Sequence, residues 1–130
     1  MQFIGKLNKE KLGIYKNLIV TEDVIITEER IKHIKEHHPG DYETYNKYLS
    51  IIIKNPDYII NDNKNINTIL LLKSIYNNKG NIQIVLKLNT NIQEIDKKNS
   101  ILTLWKVKTK TYKQIIRNKE IIWKKLDKNE

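Results

Sequence analysis

Apolar positions along the chain change their period once. Between residues 28 and 53 they recur at helical spacing, and between 58 and 108 they fall into short β-prone runs divided by turn residues. The first helix is bounded on both sides. Thr27 is placed as an N-cap, Glu28 and Glu29 suit the positive end of the helix dipole, and Ile31 and Ile34 share an inward face. Pro39-Gly40 forbids continuation, so a helix of about three turns is predicted from Glu28 to near His38. Asp41 opens a second helix, in which Tyr45, Tyr48 or Leu49, Ile52 and Ile53 repeat until Asn55-Pro56-Asp57 stops it.

Strands are predicted at residues 24–26, 58–61, 68–76, 82–89 and 100–108, with a short helix at 110–117 and a last strand at 120–124. The turns between them are Asn63-Lys64-Asn65, Asn77-Asn78-Lys79-Gly80 and residues 91–99. Residues 1–20 fit neither period and read as a lead-in segment before a single domain at 21–130. The expected fold class is α+β, with N-terminal helices packed on one face of a four- to five-stranded antiparallel sheet whose other face is open. If the leucine-rich parity packs on the helices, Lys73, Lys87, Thr103 and Trp105 emerge together on that open face.

Composition narrows the classes. Hydrophobic content of 39% with two Trp and seven Tyr excludes a disordered tail, and four Gly with two Pro exclude a low-complexity linker. There is no cysteine, hence no disulfide and no thiolate nucleophile, and a metal site would need His, Asp and Glu. The N-terminus lacks a signal-peptide core and the apolar runs are too short to span a bilayer, so a soluble, cytoplasmic protein without membrane contact is expected. The net charge of +9 is concentrated late in the chain: residues 97–130 hold 11 basic and 3 acidic side chains, which leaves +8 there. Such a density favours a polyphosphate partner. A chain rich in Ile, Lys, Asn and Tyr also fits an AT-rich coding sequence, in which case the lysines are a solvated face.

All three histidines fall in the first helix, at positions 33, 37 and 38. His33 and His37 are four apart and share a helix face off the Ile31–Ile34 side. They are candidates for acid/base work. Cleavage of RNA without a metal needs a base for the 2′-hydroxyl, an acid for the leaving oxygen, and cations or hydroxyls for the charged phosphorane; His33, His37, Lys73, Lys87, Ser100 and Thr103 supply those types. Arg30, Lys106, Lys108, Lys113 and Arg117 would contact phosphate, and Trp105 would stack on a base. The plainer reading leaves the histidines as exposed rings at a helix end, the lysines as solubilising groups, and Thr103 and Trp105 as good strand formers. A zinc-protease helix would need Glu where the chain has Ile34, and no metal or other cofactor is expected.

Blocks in this order resemble the phage-associated branch of the barnase/EndoU/colicin/RelE-like (BECR) ribonuclease toxin superfamily. They are Val24 through Ile34, His37-His38-Pro39, Asn55 through Ile59, Asn67 through Lys73, Val85-Leu86-Lys87-Leu88 and Asn99 through Trp105, together spanning about residues 20–126. The resemblance implies a metal-independent endoribonuclease, acting as a toxin or effector on RNA such as tRNA. It also implies a cytoplasmic site of action reached through a secretion system or phage, and a cognate immunity or antitoxin protein as partner. It matches His33 and His37 to the family's histidine region, Lys73 and Lys87 to basic strand positions, and Ser100 and Thr103 to a late hydroxyl-bearing strand. Two alternatives stand beside it: a non-catalytic nucleic-acid-binding module, and an interaction domain of a phage particle or larger toxin.

Overall fold

The computed structural model describes residues 1–75 and 80–126. Its elements, in chain order, are β1 (Gln2–Lys6), β2 (Asp23–Ile26), α1 (Glu28–His37), α2 (Asp41–Tyr45), α3 (Leu49–Lys54), β3 (Tyr58–Asn61), β4 (Thr68–Ile75), β5 (Gly80–Lys87), β6 (Asn99–Val107), α4 (Thr109–Asn118) and β7 (Ile121–Lys124). The predicted turn at 77–79 and the predicted end of a strand at Tyr76 lie outside the described residues.

The fold is α+β, but the sheet is larger and less regular than expected. Among the described residues it has seven strands, in the order β1-β2-β6-β5-β4-β3-β7. Five pairings are antiparallel; β2 and β6 run parallel, meeting at Val24↔Asn99 and Ile25↔Ser100. A two-residue parallel contact leaves no trace in hydrophobic period, and it needs a long crossover, here everything between β2 and β6.

Residues 1–20, expected as a lead-in, are built into the domain. β1 pairs with β2, and Leu7, Leu12 and Tyr15 are buried in the main core. Gly13 allows the approach. It sits at φ +56°, where a Cβ would lie 2.9 Å from Ile122 Cγ2 of β7.

That core lies between the sheet and α1–α3, with Ile34, Ile52 and Ile53 meeting Ile69, Leu71 and Ile84. A second cluster lies on the opposite face: Ile60, Leu70, Leu72 and Val107 are covered by Tyr112, Ile115 and Ile116 of α4, which carries the chain from β6 across to β7 at the far edge. The second face is therefore partly roofed, not open throughout. It also follows that β4, buried on both sides from Thr68 to Leu72, shows no alternation. Leu70 and Leu72 point to α4, whereas Ile69, Leu71 and, by parity, Lys73 belong to the α1–α3 side. The expected surface shared by Lys73, Lys87, Thr103 and Trp105 thus loses Lys73.

Candidate active site

The site is organised by an edge that β2 leaves uncovered. Because β2 stops pairing at Ser100, the rest of β6 has no strand on that side, and α1 takes the vacated place. The helix is anchored at both ends. At its start it follows directly from β2; at its end His38 stacks on Trp105, with ring centroids 5.0 Å apart and planes inclined by 13°. Just beyond, Asp41 Oδ2 accepts a hydrogen bond of 3.0 Å from the backbone N–H of Lys106. A carboxylate thus satisfies a backbone group that the missing strand would have bonded.

Thr27 caps α1 as predicted, its hydroxyl accepting from the Arg30 N–H at 3.2 Å. Ile34, fully buried, fixes the helix rotation. Lys35 on one flank lies over the Tyr42 ring of α2, at 5.5 Å. On the helical wheel Arg30, His33 and His37 occupy the other flank, away from α2.

The rings of His33 and His37 stack with centroids 4.1 Å apart, and His37 Nδ1 lies 3.0 Å from the His33 carbonyl oxygen. A carbonyl only accepts, so Nδ1 carries the proton and Nε2 is left as the exposed, base-capable nitrogen.

On the sheet face that α4 partly covers, the register sets Lys87 beside Ser100, Val85 beside Thr103 and Gln83 beside Trp105. A bulge between Val85 and Leu86, opposite Leu102, shifts the ladder so that Ser100 and Thr103 emerge on one side despite their odd spacing. Lys87 Nζ donates to the Ile66 carbonyl at 2.6 Å, which ties the lysine to the β3–β4 loop. The hydroxyl of Thr103 and the amide oxygen of Gln83 are buried with no hydrogen-bond partner among the described residues.

Lys87, Ser100, Thr103 and Trp105 are therefore brought together on one face, and the end of α1 meets that face through His38, stacked on Trp105. Lys73 is not. It sits on the opposite face, two strands from β6, and pairs with Asp57 Oδ1 at 3.3 Å, both side chains largely buried. Lys106 alternates to the α1–α3 side, where its side chain packs over Gly80. Lys108, Lys113 and Arg117 lie exposed at the start and along the outside of α4. His38 and Gln83, which the sequence reading did not put forward, are both in contact with the Trp105 region; the signal for His38 was its place one residue before the proline stop, where a side chain leaves the helix axis.

Among the described residues, no three His, Asp or Glu side chains converge as a metal-ligand set, and no helix is long and apolar enough to cross a membrane.

The family follows from the sequence as a whole. The chain belongs to the family described as phage-Barnase-EndoU-ColicinE5/D-RelE like nuclease 2 (PBECR2), whose model matches residues 2–124. That span includes the first twenty residues, in keeping with the place of β1 in the sheet. No curated protein and no solved structure matches the chain.

Proposed function

We propose that the chain is a metal-independent endoribonuclease that cleaves RNA by transesterification. The observation that carries this reading is the stacked His33–His37 pair on α1, a helix whose end is held to β6 by the His38–Trp105 contact, while β6 bears Ser100 and Thr103. In the proposed reaction, Nε2 of one histidine takes the proton of a ribose 2′-hydroxyl. The 2′-oxygen then attacks phosphorus, the bond to the 5′-oxygen breaks, and the second histidine returns a proton to that oxygen. The product ends are a 2′,3′-cyclic phosphate and a 5′-hydroxyl. Lys87 and Ser100 would donate to the phosphorane oxygens, where charge develops, while Thr103, whose hydroxyl is buried, would stand behind them.

Arg30 on the same flank and the exposed Lys108, Lys113 and Arg117 would hold the flanking phosphates, giving binding that weakens steeply with salt. Lys73 is left out of this set; its pairing with Asp57 supports a structural role. The biological setting, a toxin or effector acting on RNA such as tRNA in the cytoplasm and held in check by an immunity or antitoxin protein, is part of the same proposal and draws on the family.

The test is a comparison of cleavage and binding in His33→Ala and His37→Ala. General acid or base groups contribute about 10²- to 10⁴-fold, so each variant should lose cleavage by that order while binding RNA as the parent does. Wild-type cleavage by both variants would remove the histidines from the reaction. RNA binding without cleavage by any form, the parent included, would favour a binding module.

A further inference from the structure

Beneath α4, on the sheet face that carries Trp105, lies a cavity of about 260 Å³. Its walls are apolar and aromatic: Leu70, Val85, Trp105, Val107 and Ile115. Polar side chains complete the lining, Asp62 and Asn65 among them, and one of these polar groups, Gln83, is buried. Gln83 is 5% exposed, lines the cavity, and its Oε1 has no hydrogen-bond partner among the described residues. A buried amide oxygen without a partner gives up its hydration with nothing in return, which makes Gln83 an unfavourable choice for a position meant only to pack. Val85, its neighbour on the same face, shows what simple packing would use. At the mouth stand two cations, Lys64 and Lys119, beside Thr111.

A flat apolar wall, a hydrogen-bonding amide at the back and positive charge at the entrance match the three parts of a nucleotide: a planar ring, its donor-bearing edge and its phosphate. The volume, just under the roughly 300 Å³ at which pockets for drug-sized molecules begin, suits a single base in place of a larger ligand.

We propose that this cavity is a base-recognition subsite, in which Gln83 reads the edge of one RNA base and so determines where the chain cleaves. The choice of an RNA base as occupant rests on the ribonuclease reading above. Gln83 Oε1 accepts from the base's amino or imino group, the amide nitrogen donates to the adjacent ring acceptor, and the indole of Trp105 forms one wall. Because Gln83 and Trp105 are cross-strand neighbours and Ser100 with Lys87 lies further along the same two strands, the seated base shares a sheet face with the groups proposed to hold the phosphorane.

The experiment uses two variants, Gln83→Leu, nearly isosteric but unable to hydrogen-bond, and Thr111→Phe, which narrows the mouth from an exposed position without adding a second indole. Each is made in a Trp123→Phe background so that fluorescence reports Trp105. Binding of the four nucleoside 3′-monophosphates is titrated, and cleavage is measured on oligonucleotides that vary one base at a time. The expected parent binds one base at least about fivefold better than the others, and both variants lose that preference. Equal preference in parent and variants, in binding and in cleavage, would overturn the subsite while leaving the ribonuclease intact. Discrimination by Gln83 in a protein that cleaves no RNA would keep the subsite and refute the ribonuclease. No nucleotide binding up to millimolar concentration would leave Gln83 a solvated core amide and reject the proposal.

Discussion

Replacing Asn99 by Ala attacks the joint on which the candidate site depends. Asn99 is fully buried where β2 meets β6, and every part of its amide is engaged. Nδ2 donates to the Thr21 carbonyl at 2.9 Å and the Asp23 carbonyl at 3.0 Å, while Oδ1 accepts from the Asn89 N–H at 2.8 Å. One side chain thus holds the entry to β2, the end of the segment after β5, and β6 itself.

The substitution removes three hydrogen bonds and leaves three backbone groups to find other partners. At about 1 kcal/mol net for each bond, the loss is about 3 kcal/mol, a large share of the stability of a domain this size. Urea unfolding at neutral pH measures it: the midpoint should fall with the slope unchanged. Asn89→Ala also removes three side-chain bonds, to the Glu94 and Lys97 carbonyls and from the Asn91 N–H, but these are exposed to water and stay within one loop, so it should lose clearly less. A loss below about 1 kcal/mol for Asn99→Ala, or one no larger than for Asn89→Ala, would refute the reasoning that this amide is the fastener of the parallel joint.

Other outcomes follow from the same contacts. Burial pushes the Tyr112 phenol up to about 12, against a smaller downward pull from its hydrogen bond to Ser74. The folded state therefore keeps a proton that the unfolded chain gives up near pH 10, so the contribution is complete below pH 10 and lost as the pH rises through 12; Tyr112→Phe should flatten the alkaline limb of the stability curve. Lys73→Met should leave cleavage unchanged but cost about 1–3 kcal/mol in urea unfolding, whereas Lys87→Met should lower the cleavage rate at least about tenfold, since only Lys87 shares the Ser100–Thr103 face. Gly13→Ala combines φ +56° with a 2.9 Å contact to Ile122 and should destabilise by about 1–2 kcal/mol, read as a drop in melting temperature.

Local signals carried most of the fold. Thr27, the two acids after it and Pro39 bounded α1 correctly because caps and stops act over a few residues, and the strands of the meander were legible from their turns. The helix read from Asp41 onward is broken into α2, a 3-10 turn at Asn46–Tyr48 and α3, a division its apolar spacing does not show. What escaped was set by distant parts of the chain. Gln2–Lys6 is a strand only because β2 offers an edge, the parallel joint rests on two residue pairs, and Lys73 changes face because β4 is covered on both sides.

The candidate site divides in the same way. The histidine pair could be read from a spacing of four on one helix. The alignment of Ser100 with Thr103 depends on a bulge, the contact between His38 and Trp105 on an uncovered strand edge, and the place of Gln83 on the roof that α4 provides; each is a tertiary event.

The central claim is that this chain cuts RNA with its own side chains through the 2′-hydroxyl. Purified protein incubated with total RNA in EDTA, followed by analysis of the new ends, tests it most directly. The account predicts fragments ending in 2′,3′-cyclic phosphate and 5′-hydroxyl, formed at a rate that EDTA does not change and that a 2′-deoxy residue at the cut site abolishes. RNA left intact, cleavage that needs an added divalent ion, or fragments carrying 5′-phosphate would contradict it.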